Sequence, residues 1–379
     1  MKPAAKIPVM DLTAQDRPAG KAILKAIQQV IKQKAFINPP ILGQFEQAFA
    51  KWVGRKEFVG VNSGTAALFL ALKAMGIGPG DEVITTPFTF IATLESIIYA
   101  GAKPVMADID PDTFCLSPVA VRKALTSRTR AIIPVHLYGH PCDMDEFMAI
   151  SREANVKILE DVAQAHGATW RGRKVGVFGH AAAFSFYPGK NLGAYGDAGG
   201  VATDDPGIAE RLRILRNHGH HQKYIHDVEG YNERLDGMQA AVLLAKLPHL
   251  DLWIKQRQAI AKDYNRALKS LSDQKIGIRI PPVRPETTHA YHLYVLRIKD
   301  RERISKSLTE AGISTAVHYP IPLHLQPCFA YLGYRRGDFP ESERAAQEVL
   351  SIPLYPGMTK SQEKRVINTI INIFSGKSV

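Results

Sequence analysis

A chain of 379 residues, 45% hydrophobic and 22% charged, has the length for two domains and the apolar content of a globular protein. Its 48 Lys and Arg against 36 Asp and Glu leave a formal charge of +12, spread without a basic tail or block. That distribution argues against nucleic acid as the partner and suits small anionic ligands. Cys115, Cys142 and Cys328 are odd in number and widely spaced, with no C-x-x-C pair, which speaks against a disulfide framework or a structural zinc site. "MKPAAKIPVMDL" lacks the apolar core of a signal peptide, and no apolar run approaches the roughly 18 residues of a membrane span. A cytoplasmic protein is expected.

In chain order, "GTAALFLALKAMG" reads as a helix starting near Ser63–Gly64. A Gly/Pro turn and a strand over Glu82–Thr86 follow it. "AKPVMADID" is a strand, "VAVRKALTS" a helix and "RAIIPVHLYG" a strand. "MDEFMAISREANV" is helical, and "KILED" is the next strand, ending on Asp161. This alternation predicts an α/β fold: a mostly parallel central sheet with helices on both faces. Near Asp251 the texture changes to a long charged helix, "WIKQRQAIAKDYNRALKSL", then a proline-rich link and strand, two more helices and an irregular stretch, "STAVHYPIPLHLQPCF". A large domain over residues 1–250 and a smaller C-terminal one over 251–379 are expected.

Ligands of such sheets bind beyond the carboxyl ends of the strands, where Asp161, Thr86–Phe90 and the stretch after "AAAFSFYPGK" fall. Lys190 projects from the turn that ends this last strand, before a string of glycines. A Walker A loop would need glycine at Phe184 and Ser or Thr at Asn191, and no G-x-G-x-x-G follows a first strand. A surface lysine is the ordinary alternative; a Schiff-base amine is the chemical one. Pyridoxal phosphate would require that lysine, an acid against its ring nitrogen and a phosphate cradle. Asp161 suits the acid, although an aspartate after a strand also caps helices. Ser63-Gly64-Thr65 opens a helix and suits the phosphate, although "NSGT" is also an ordinary N-cap. Phe88 suits ring stacking, with core packing as its alternative. His218, His220, His221 and His226 form a His-rich stretch for which a substrate-facing loop is favoured over a metal site.

Taken together, "NSGTAAL", "GDEVITTPFTFIAT", "PVMADIDPDTF", "PVHLYGHPCDMD", "ILEDVAQAHGA", "AAAFSFYPGKNLGAYGDAGG", "GYNERLDGMQAAVL" and "HYPIPLHLQPCF" resemble the DegT/DnrJ/EryC1/StrS sugar aminotransferases over nearly the whole chain. The resemblance implies a fold-type I pyridoxal-phosphate-dependent transferase with a smaller α+β C-terminal domain. It implies that Lys190 bonds to the cofactor, Asp161 meets its pyridine nitrogen and Gln164 its ring hydroxyl. Gly64, Thr65 and Ser185 would hold the phosphate, and Phe88 would stack on the ring. Asn232 would reach the phosphate of a neighbouring subunit's cofactor, which implies a homodimer. Arg234, His318 and Tyr319 would meet the diphosphate or sugar of a nucleotide-linked keto-sugar, with an amino acid, glutamate, as donor. Lys190 favours transamination over the dehydration catalysed by relatives with histidine there. Carbon 3 is preferred to carbon 4. A sugar dehydratase, an aminocyclitol aminotransferase and a DNA-binding regulator are the alternatives.

Overall fold

The computed structural model describes residues 6–222, 224–274 and 276–376. Ser63, in extended backbone, caps the helix Gly64–Ala74 by accepting a hydrogen bond from the Ala66 N–H at 3.0 Å. This helix is buried nearly all round, from Ala66 to Leu72 and at Ala74, so it lies inside the molecule rather than on its surface. It packs against a seven-stranded sheet ordered Glu57–Val61, Gly199–Thr203, Ala181–Ser185, Lys157–Asp161, Thr129–Ile132, Glu82–Thr85, Lys103–Met106. Only Gly199–Thr203 runs against its neighbours. The expected mostly parallel sheet is therefore present, and its parallel register brings Asp161, Ser185 and the start of the Gly64 helix to one edge.

One expected strand is shorter than its apolar run. The segment "RAIIPVHLYG" is ladder only over Thr129–Ile132, because Pro134 has no N–H to continue it. The chain stays beside Lys157–Asp161 all the same: the Asp161 N–H donates to the Pro134 carbonyl at 3.0 Å and the His136 N–H to the Asp161 carbonyl at 3.1 Å. It then turns at Leu137–Gly139, where Tyr138 takes φ +60°.

A second core gathers around a three-stranded antiparallel sheet, Ile278–Arg279, Tyr294–Ile298 and Val349–Ile352. The helices Arg301–Glu310 and Lys360–Phe374 pack on it through Ile304, Leu308, Val366 and Ile370. One helix, Leu250–Asp273, serves both cores. Leu250, Trp253 and Ile254 enter the first; Ile260, Tyr264, Leu268 and Leu271 enter the second. Ile7 bridges Ile313 and also belongs to the second core. Among the described residues no helix is long and apolar enough to cross a membrane. The three cysteines are free, with Cys115 and Cys142 buried and Cys328 exposed.

Candidate active site

The helix beginning at Gly64 meets the end of the strand Ala181–Ser185 at very short range. A Cβ on Gly64 would lie 2.6 Å from the Ser185 Cβ. A Cβ on Gly199 would lie 2.3 Å from the Ser63 carbonyl, so glycine at both places lets three segments converge. The result brings the start of the Gly64 helix and the Ser185 side chain together at the positive end of a helix.

Asp161 is 4% exposed at the same edge. Its carboxylate accepts from the Thr93 hydroxyl at 3.0 Å and the Ala163 N–H at 3.1 Å. Burial nevertheless pushes its pKa up, although those two hydrogen bonds and the Lys190 and His136 charges oppose the shift. A desolvated carboxylate left in this state wants a cationic hydrogen-bond donor. Lys190 follows in the turn after Ser185, its N–H donating to the Tyr187 carbonyl at 2.8 Å. Burial lowers the pKa of its ammonium from 10.5 to about 8, and Asp161 offsets part of that shift. Among the described residues Lys190 forms no ion pair within 4 Å, so its amine is free to bond or to carry a proton.

Gln164 is fixed from two sides. Its Oε1 accepts from the Tyr138 N–H at 2.8 Å, and its Nε2 donates to the Tyr319 hydroxyl at 3.1 Å. The Tyr138 hydroxyl in turn donates to the His318 carbonyl, and the His318 ring meets the Ser351 hydroxyl at 2.8 Å. Five residues, Gln164, Tyr319, Tyr138, His318 and Ser351, thereby link the two cores. Burial and the Lys190 charge lower the His318 pKa to about 4, so its ring is neutral at physiological pH.

Phe88 requires correction. Its ring is 0% exposed and packs against Phe114 at 6.1 Å, so neither face is open to a ligand. Phe90, two residues on, is 53% exposed and lies 6.0 Å from the Tyr319 ring. The stacking position implied for Phe88 fits Phe90 instead. Asn232 and Arg234 flank the end of the edge strand just before the Gly64 helix, where the Asn62 N–H donates to the Glu233 carbonyl at 3.1 Å. Arg234 bridges Val61 on the edge strand and donates to the side chains of Asn217, at 3.0 Å, and Asn232. Neither has a hydrogen bond or ion pair to Asp161, Gln164 or Lys190 of its own chain. The His-rich loop borders a separate cleft, with Asn38, Glu46 and Arg216, and there His221 pairs with Asp227 and Glu210. Among the described residues no group of three or more metal-ligating side chains occurs.

Sequence reading missed His166. It is fully buried against Phe49, Phe184 and Phe186, with neither ring nitrogen partnered. Burial, with the Lys190 charge second, lowers its pKa to about 3. A neutral imidazole there adds no competing cation near Lys190.

The sequence pattern of the DegT/DnrJ/EryC1/StrS aminotransferase family matches residues 18–371. The chain belongs to this family. A transaminase from Streptomyces venezuelae, named for dTDP-3-amino-3,4,6-trideoxy-alpha-D-glucose, is 45% identical over 96% of this chain and 95% of its own. A pleiotropic regulatory protein from Geobacillus stearothermophilus is 44% identical over 97% of this chain and 98% of its own. The solved structure of S. venezuelae DesV in complex with a ketimine intermediate superposes with a TM-score of 0.95 at 44% identity, covering 98% of this chain and 99% of that one. NtdA from Bacillus subtilis, solved with its PMP cofactor bound, gives 0.91 at 30% identity, covering 98% of this chain and 86% of that one. The fold is that of the pyridoxal-phosphate-dependent aminotransferases, and the family uses pyridoxal phosphate. The residues present suit that group: a phosphate cradle that a Cβ would fill, a buried carboxylate short of a cation, and an amine without an acid partner.

Proposed function

We propose that this chain moves an amino group from L-glutamate to carbon 3 of a nucleotide-linked keto-sugar, as a homodimer with shared sites. The observation that carries the reading is the convergence of Asp161, Lys190 and the Gly64–Ser185 cradle at one sheet edge. Bound pyridoxal phosphate supplies an aldehyde that bonds reversibly to amines and a ring that spreads the negative charge left when the donor's α-carbon loses its proton. Asp161 keeps a proton on the ring nitrogen and so favours that spreading. Lys190, whose lowered pKa makes Nζ easier to deprotonate, carries the proton between donor carbon and cofactor as base, then acid. Gly64, Thr65 and Ser185 hold the phosphate, Gln164 the ring hydroxyl, and Phe90 the ring face. Tyr319 and His318, held by these links, line the path of the sugar.

Support for carbon 3 comes from relatives named as 3-amino-sugar transaminases or 3-oxo-sugar aminotransferases, at 38–45% identity. Presenting the protein, in its aminated form, with matched 3-keto and 4-keto nucleotide sugars and locating the new amine by NMR tests it. Amination of the 4-keto sugar alone would reverse the assignment.

The shared site rests on Asn232, which is exposed, bridges Asn217 and accepts from Arg234 through its side chain, and on the family pattern. Lys190→Ala and Asn232→Asp should each be nearly inactive alone, the aspartate repelling the cofactor phosphate. Co-expressed with random pairing, they should leave about a quarter of all sites intact, by two-fold symmetry. No recovery in proven mixed dimers would place Asn232 in its own chain's site. The proposal also divides the chain near Asp251 into a larger unit that holds the cofactor and a smaller one, supported by the two cores, and places the protein in the cytoplasm. The charge of +12 and the relative named as a regulator favour DNA binding as the rival reading. Salt-dependent retardation of duplex DNA at physiological ionic strength would support that rival.

A further inference from the structure

On the smaller sheet, far along the chain from Asp161, the strands Ile278–Arg279 and Tyr294–Ile298 pair so that Arg279 sits directly opposite Arg297. Lys299 follows Arg297 by two residues and therefore leans to the same face, and its N–H donates to the Gly277 carbonyl at 3.0 Å. Gly277, opposite Lys299, carries no side chain, so the floor beside the lysine stays open. Arg344 comes in from the helix Pro340–Glu348. Together these residues line a cleft of about 360 Å³ in which four cations face one carboxylate, Glu348.

That carboxylate is already committed: Glu348 pairs with Arg297 at 2.7 Å, and Arg297 also donates to the Pro111 carbonyl at 2.6 Å. Arg344 pairs with Glu341. Among the described residues, Arg279 and Lys299 have no ion pair. Asp112, on the lip of the adjoining cleft that shares Arg279 and Arg297, forms none with either. Like charges placed directly across a ladder destabilise it. Here Arg279 stands on an edge strand whose ladder is only two residues long, opposite Arg297 on the middle strand. Cross-strand Cα atoms lie about 5 Å apart and residues two apart about 6.7 Å, so the unpaired Arg279 and Lys299 fall within reach of one compact anion, with Arg297, held by Glu348, buried beside them.

We propose that the cleft formed by Arg279, Arg297 and Lys299 binds a multivalent phosphate-type anion, at a site separate from the aminotransferase centre. The concave shape and short spacing suit a diphosphate better than the extended track of a nucleic-acid backbone. Bound anion would remove the cross-strand repulsion and hold Ile278–Arg279 against its neighbour. The attraction falls as salt rises, since Arg279 and Lys299 are exposed.

The test uses the cofactor-loaded protein and inorganic pyrophosphate at low salt, read by titration calorimetry and by the shift in Tm. Arg279→Gln with Lys299→Gln should weaken this binding at least ten-fold and leave transamination unchanged. His318→Ala, on the proposed path of the sugar, should leave it intact, which separates the two sites. Without anion, the double variant should melt no lower than the parent, because repulsion has been removed. Equal pyrophosphate affinity in parent and double variant would overturn the proposal. So would a fall in anion-free Tm, which would make these cations structural. Retardation of duplex DNA that the double variant abolishes, without saturable pyrophosphate binding, would replace it with a nucleic-acid surface.

Discussion

Replacing Lys190 with methionine should make the cofactor-free protein more stable at neutral pH. The lysine is held at a pKa of about 8 against 10.5 for an ordinary lysine. At about 1.4 kcal/mol per pH unit, keeping it protonated in the folded chain costs about 3 kcal/mol as a ceiling. Lys190 as a whole residue is only partly buried, and solvent screening lowers that cost. Its loss also removes a cation that favours ionised Asp161, so the expected gain is about 1–3 kcal/mol. Methionine keeps the unbranched shape of the side chain and is one atom shorter, so packing changes little. The sign follows from proton binding. Between pH 8 and 10.5 the unfolded chain binds more protons at Lys190 than the folded one. The parent's stability therefore rises with pH through that window, while below it the full cost is present. Urea unfolding of both apoproteins at about pH 7 and pH 9.5 reads the effect as a midpoint difference at constant slope. The variant should lead at the lower pH and lose most of its lead at the higher. Equal stability at neutral pH, or a gap that stays constant across the window, would refute an energetically strained Lys190.

Gly64→Ala should leave the fold largely intact but displace the helix start from Ser185, weakening cofactor retention ten-fold or more; equilibrium dialysis of the cofactor checks this. Phe88→Ala should destabilise the protein by about 3–5 kcal/mol, as buried phenylalanines do, and Phe90→Ala by much less while loosening the cofactor. Thermal melts beside cofactor fluorescence separate the two outcomes. Tyr138→Phe should strand the His318 carbonyl at a cost of about 1–3 kcal/mol. It should raise KM for the sugar half-reaction more than for the glutamate half-reaction, as single-turnover measurements would show.

The sheet was legible because each strand carries a local signal, and "KILED" ends on Asp161, at the carboxyl edge of the sheet. The position of Lys190 in the turn after Ser185 was legible because a strand followed by Pro-Gly leaves few places for the next side chain. Phe88 and Phe90 were not separable, because strand alternation stops at Pro87 and only the fold decides which ring faces the core. The Tyr138–His318 contact joins residues 180 apart in sequence, and no local pattern encodes such a pairing. His166 reads like any histidine in "AQAHGA"; its enclosure by Phe49, Phe184 and Phe186 comes from three separate segments. The basic ladder of Arg279, Arg297 and Lys299 escaped notice for the same reason, since its strands meet only through their register.

The central claim is transfer of nitrogen from an amino acid to a nucleotide-linked keto-sugar at Lys190. The most direct measurement supplies glutamate with an isotopically labelled amino group and a panel of nucleotide keto-sugars, and follows the label by mass spectrometry. The account predicts that the label appears on the nucleotide sugar in step with 2-oxoglutarate, and that Lys190→Ala abolishes both. A nucleotide sugar that loses water and gains no nitrogen, or label that never leaves the protein-bound cofactor for any sugar in the panel, would contradict it.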